Sequence, residues 1–506
     1  MCTRPTRPIG VFVLTLGIAA CGGDPPATSP SPVAGGSQGG AAATVPGSLR
    51  TAGPPRMATL AELSPAEQTW GIAPTRSPEV TYQPDVVLIE KGPEAIRAMS
   101  PNGLEWTLDA AAVQGVDLSP GKVLFVTGRM VGRVLDVKKR DDGLVVILGP
   151  VDITEVISDA RIEFTAPVDF SQAAQFSAPD LPGAVADAKP LQVSTGEPGH
   201  RLGFRRALAT DEGTMAYRRI ASDVTVGNFR ISPTVGLSGL GAEITTDSNG
   251  LHFNSSALLR LETPRLRFAL EIARGKLVRC ELELTGAAGI AMRFNLVSST
   301  GLASNVNQTI HVPSDFSIPL LGPAVPFSIT VRQAYLVQTA IGAKGRLQAD
   351  GDYSVSGGFS IGYRDGHLGV GGPTGFKANH PIVDSIAGIS MTPSGIVLAH
   401  QTRVIVGIGA FGFVTGPYFT MTNTMGITRH SDLDTLARCS AADVIASVDA
   451  GVGYFMPRTI TNGINFFLKA LNLGQIKSEG GVSLGAPQKL VNVHTFTPNS
   501  KACGAT

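Results

Sequence analysis

Several sets of residues in this chain have the types and spacing that chemistry requires. Gly358-Phe359-Ser360-Ile361-Gly362 fits GxSxG, the pattern in which a strand-to-helix turn exposes a nucleophilic serine. Ser360, however, sits inside an alternating run that continues to Tyr363, and no helix-forming sequence follows. The run predicts a small residue on a sheet face. Gly407-Ile408-Gly409-Ala410-Phe411-Gly412 fits GxGxxG, but Phe413-Val414-Thr415-Gly416-Pro417 comes next. That stretch cannot open the helix whose N-terminus would face a pyrophosphate. The eight histidines (His200, His252, His311, His367, His380, His400, His430 and His494) form no HxH, HExxH or CxxC cluster. His367 and His380 flank a Gly-rich segment, Leu368 to Lys377, that reads as a loop. Asp350-Gly351-Asp352 reads as a turn whose oxygens suit a surface calcium ion. Paired carboxylates for glycoside cleavage need only meet in space, so sequence spacing is silent about them. No catalytic, metal-binding or cofactor-binding residue is expected, and the balance points away from an enzyme.

Cysteine is the exception. Arg4 and Arg7 precede an apolar stretch, Ile9 to Leu16, too short for a transmembrane helix of about 20 residues. It ends in Gly17-Ile18-Ala19-Ala20-Cys21. This resembles the bacterial lipobox, with Ile18 in place of the commoner Leu. The resemblance implies that residues 1–20 are a signal peptide and that Cys21 becomes an acylated N-terminus of the palmitate type. Residues 21–59, almost all Gly, Pro, Ala, Ser and Thr from Gly22 to about Pro55, carry too few large apolar groups to offset ordering entropy and predict a disordered tether. Two or three acyl chains, at about 0.8 kcal/mol per buried methylene, would hold such a protein firmly. In Gram-negative lipoproteins, Gly22 after the cysteine would permit sorting to the outer membrane. The expected address is therefore the cell envelope, lipid-anchored, with the mature part periplasmic or surface-exposed. Of the other cysteines, Cys2 leaves with the signal, and Cys280 points inward on an amphipathic strand. Cys439 and Cys503 sit in polar, turn-like contexts and are the expected disulfide, worth about 4 kcal/mol in the chain-entropy picture.

Composition narrows the partners. Lys plus Arg (41) and Asp plus Glu (40) nearly cancel, and no basic block stands out, so nucleic acid is excluded as an expected partner. Sixty glycines and only 6% aromatic residues suit Gly-punctuated strands.

The elements that must position these residues are mostly strands. Residues 60–170 predict a small β-barrel or sandwich domain, with strands at 85–89, 104–108, 123–126, 133–137 and 144–148 and a polar turn at Lys138 to Gly143. Residues 171–215, rich in Ala, Pro and Gly, predict a linker. Residues 216–506 predict a larger extended antiparallel β domain. There Leu266, Phe268, Leu270 and Ile272 alternate with charged residues, turn at Arg274-Gly275, and pair with Val278, Cys280, Leu282 and Leu284. Tyr353 to Tyr363 predicts one strand of roughly 35 Å with a Ser/Gly outer face. One short helix is expected from Thr461 or Asn462 to Gly474. Leu118-Ser119-Pro120-Gly121-Lys122, Gly132 to Val137, Gly322 to Pro326 and Gly362 to Gly366 resemble segments of secreted large β-rich proteins. That resemblance implies an extracellular β protein and brings no active site. The expected role is binding, adhesion or envelope structure, through a glycan or protein surface ligand. A polysaccharide hydrolase or a carrier of apolar ligands would be the alternative.

Overall fold

A computed structural model describes residues 56–177, 224–455, 479–483 and 488–498, apart from 101–104, 142, 237–238, 302–304, 312–313, 323–324, 342–343, 365–366, 373, 390–393, 410–413 and 433–436. Cys21, the tether up to residue 55, Cys503 and the helix expected at 461–474 lie outside the described residues, whereas Arg56–Met57, expected in the tether, is a strand paired to Leu320 and Leu321.

The amphipathic hairpin is the centre of the architecture and runs far beyond the segment that announced it. Strands Leu251–Ala273 and Lys276–Ser298 pair along most of their length, Leu266 opposite Leu284 and Leu270 opposite Cys280. Arg274 and Gly275 turn the chain with positive φ values of 52° and 68°. Side chains alternate across each strand, so one face is mostly apolar, and Leu266, Phe268, Leu270 and Leu282 are at most 1% exposed. Each fully buried side chain of this size contributes about 1.5–3 kcal/mol. This hairpin anchors a 12-stranded sheet. A 10-stranded sheet built on Ser328–Ile341, Ser394–Gly407, Val414–Asp432 and Ala437–Phe455 shares its apolar core. Phe268 meets Phe327 at 5.7 Å, and Phe359 meets Phe419 at 6.2 Å, joining the inner faces of the two sheets.

The protein is thus mainly β and antiparallel, as expected, with only short helices among the described residues. Residues from Val86 to Gly149 form a six-stranded sheet over a core of its own that includes Trp106, Leu124, Val126 and Met130. This sheet does not close into a barrel, since its path ends at Val86–Leu88 and Ile96–Met99. Its neighbouring strands leave it. Val80–Tyr82 and Ile157–Pro167 enter the 12-stranded sheet, Arg265 pairing Pro167 and Ile272 pairing Ala160. Ala174–Ser177, from the segment expected as linker, pairs Ser314–Ser317 in the other sheet. Ala52–Thr506 accordingly forms one compact unit.

Four local expectations are corrected. Asp350-Gly351-Asp352 lies inside the strand Gly345–Ser356, not in a turn, because Leu347, Ala349, Tyr353 and Val355 carry the inward alternation through it. Leu368 to Lys377 belongs to two strands, His367–Gly371 and Thr374–His380. The long strand from Tyr353 is divided at Gly357, whose φ of 99° only glycine adopts readily. Lys138, Lys139 and Arg140 remain in the strand Met130–Arg140, with Arg140 paired to Gly143, so the turn is shorter than six residues.

Candidate functional site

Ser360 lies in the strand Gly358–Arg364, on the outward face that alternation assigned to it. Strand pairing surrounds it with three transverse rows. Thr165, Arg267, Glu283, Ser360 and Gly371 form one, and Glu163, Ala269, Glu281, Gly362 and Gly369 the next. Arg161, Glu271, Arg279, Arg364 and His367 form the third. The first two rows enclose an open trough of about 430 Å³ lined by Arg267, Glu281, Glu283, Ser360, Ile361, Gly362, Gly369 and Gly371. Its floor is low because the strand residues there are small. A Cβ at Gly362 would approach nothing closer than 3.9 Å, and one at Gly369 nothing closer than 3.8 Å. Packing does not demand glycine at either position.

The wall is charged and internally neutralised. Glu281 accepts two hydrogen bonds from the Arg279 guanidinium, at 2.6 and 2.7 Å, and one from Arg364 at 3.1 Å. Arg267 stands 3.7 Å from it. Glu163 pairs with Arg267 at 3.3 Å and Arg279 at 3.4 Å. The hydrogen bonds from Arg279, reinforced by the charges of Arg279, Arg364 and Arg267, hold the Glu281 carboxyl below the usual carboxylate range. A general acid for glycoside cleavage needs the opposite shift. The cross-strand neighbours of Ser360 are Glu283 and Gly371, with no imidazole among them.

The remaining sequence candidates are scattered. Cys280 is a free, buried thiol, which burial pushes up to about 12, where it is inert as a nucleophile. Cys439 is buried within the strand Ala437–Phe455 rather than in the polar turn expected for it. Gly407 and Ile408 close a strand end, Ile408 bridging Thr415, and the next described element is the strand Val414–Asp432. His252 pairs with Asp247, His380 with Asp350, and His494 with Asp443, all on exposed surfaces. No group of three or more His, Cys, Asp or Glu able to hold a metal ion occurs among the described residues. No helix there is long and apolar enough to cross a membrane. His400 is a residue that the sequence reading did not single out from the eight histidines. It is 1% exposed and faces the interior between the sheets. The alternation Ile396, Leu398, His400, Thr402, Val404 carried that signal.

No curated protein matches the chain, and no solved structure matches it. A family model described as Domain of unknown function (DUF8403) matches residues 66–159, which hold the six-stranded sheet. A second, Domain of unknown function (DUF8402), matches residues 212–483, more than half of the chain and most of both large sheets. The chain belongs to the DUF8402 family.

Proposed function

We propose that this protein is a cell-envelope lipoprotein, held by acyl chains on Cys21, that binds a polar surface ligand, glycan or protein, along the outer face of its 12-stranded sheet. The observation that carries the binding reading is the trough. Its glycine floor is kept low where packing leaves room for larger side chains. Arg267 and Glu281 are already paired with neighbouring charges, so a ligand laid across it meets fixed donors and acceptors. Glu281, held ionised by three arginines, favours recognition over acid catalysis. The lipobox-like sequence and the Gly/Pro/Ser tether support the anchor. A disulfide between Cys439 and Cys503 would suit an oxidising compartment.

Two measurements test this. Full-length protein labelled with radioactive palmitate should carry label that Cys21→Ala abolishes, with the variant leaving the membrane fraction. An unlabelled parent would remove the anchor. Purified protein should bind isolated cell envelopes, and Gly362→Trp, which fills the trough from a position with room for a Cβ, should abolish binding while leaving the melting temperature in place. Undiminished binding by that variant would remove the trough from the function.

A further inference from the structure

The inner face of the 10-stranded sheet is mostly apolar, and near its middle it carries a polar island. Strand register places Tyr335, His400 and Asn423 in one transverse row, and Gln333 and Thr402 in the next. The island is bounded on one side by Val337, Leu398, Met425 and Val444, and on the other by Val331, Val404, Phe419 and Ala450. Every one of the five polar residues is at most 4% exposed. The Tyr335 ring stacks on the His400 imidazole with centroids 4.7 Å apart. The His400 Nε2 lies 3.2 Å from Thr402 Oγ1, and the Tyr335 hydroxyl donates to Gln333 Oε1 at 3.4 Å.

This internal pairing is incomplete. Gln333 Nε2 and Asn423 Oδ1 are buried without a hydrogen-bond partner. Turning the Gln333 amide over would present Nε2 to Tyr335 and orphan Oε1 instead, so either orientation leaves one amide end unmatched. Buried polar groups are hydrogen-bonded in almost all native proteins, because an unmade bond costs the full desolvation of the group. Gln333 and Asn423, on strands that flank Ser394–Gly407, thus each leave an unmatched polar end in the same interior layer.

The chemistry of the guest follows from the surroundings. The buried residues described between the sheets include no Asp, Glu or Lys, so a charged guest would be left without a counter-ion. Each unmatched end is an amide N–H or an amide oxygen, and a hydroxyl, which both donates and accepts, can pair with either. We infer that the island formed by Gln333, Tyr335, His400, Thr402 and Asn423 is an internal binding site for a neutral hydroxyl group. The hydroxyl comes from a water molecule or from the polar head of an otherwise apolar molecule lodged between the sheets.

A crystal structure of the mature protein purified from its membrane, at a resolution that places ordered water, tests the inference. Separate density should lie within hydrogen-bond distance of each unmatched amide end. Native mass spectrometry before and after organic extraction separates the sources: an added mass lost on extraction identifies an apolar molecule, and an unchanged mass identifies water. In Asn423→Leu the density or the added mass should be lost. Amides found bonded only to protein groups, with no separate density in the parent protein, would overturn the site.

Discussion

His400 is where a single side chain sets a property of the whole protein. Burial lowers its pKa from 6.5 to about 4, because an imidazolium in this layer would lose its hydration without gaining a carboxylate. The unfolded chain therefore binds a proton that the folded chain refuses between about pH 6.5 and 4. The stability this residue contributes is complete above 6.5, declines as pH falls through that window, and is gone below about 4. The difference corresponds to about 3 kcal/mol. Denaturant titrations at pH 7 and pH 4.5 should show a loss in the parent that His400→Gln reduces by most of that amount; parallel profiles for the two proteins would contradict the assignment. Cys280 gives a kinetic counterpart. Its thiol is buried and pushed up to about 12, so iodoacetamide should leave it unmodified in the folded protein and react promptly in denaturant. Rapid native labelling at Cys280, read by peptide mass mapping, would show that the strand pair around it opens.

The glycines show how strand elements divide between packing and surface. At Gly407 a Cβ would come within 2.0 Å of the Thr415 carbonyl oxygen. That backbone is held by the Ile408–Thr415 bridge and cannot move aside. Gly407→Ala should therefore cost about 1–3 kcal/mol, as overpacked cores do. Gly362→Ala and Gly369→Ala, with open space above them, should stay within about 0.5 kcal/mol of the parent in the same thermal melts. Equal costs at the three sites would mean that the trough floor is structurally required. Sequence made some of this legible and not the rest, for a definable reason. Alternation in Arg265–Ile272 and Tyr353–Tyr363 gave the inward and outward faces correctly, since strand periodicity is local. It placed Ser360 outward and Cys280 inward. Which outward residues become neighbours depends on register between strands far apart in the chain. Glu163 thus reaches Arg279 across 116 positions, and no spacing motif could have assembled the trough. The same non-local pairing hid the polar island, although each of its five residues sits at a strand position whose inward direction was readable.

At the scale of the molecule, the six-stranded region and the two large sheets are interlocked rather than strung together. Ile157–Pro167 leaves the first region and lies against the hairpin strand Leu251–Ala273, where Ile162, Phe164 and Ala166 are buried at 5% exposure or less. Phe164 contacts Phe268 at 5.3 Å, and Glu163 completes the ion pairs of Arg267 and Arg279. A loop of the first region is equally tied in. A Cβ on Gly128 would meet the Pro326 carbonyl oxygen at 2.3 Å, and the Gly128 carbonyl accepts from the Gly409 amide. Removing residues 56–177 would therefore strip fifteen buried apolar side chains from the shared core, Phe125, Ile153, Phe164 and Phe170 among them, and uncover a strand edge with its backbone donors and acceptors unpaired, the arrangement that promotes association. A fragment spanning 212–506 should lack a cooperative thermal transition, bind a dye specific for exposed apolar surface, and elute as oligomers. Adding a separately produced 56–177 fragment should restore a cooperative melt, because the pairing between Ile157–Pro167 and the hairpin needs no covalent link. A 212–506 fragment that melts cooperatively at the temperature of the intact protein would show that the larger sheets are self-sufficient and that Ile157–Pro167 is an ornament on them.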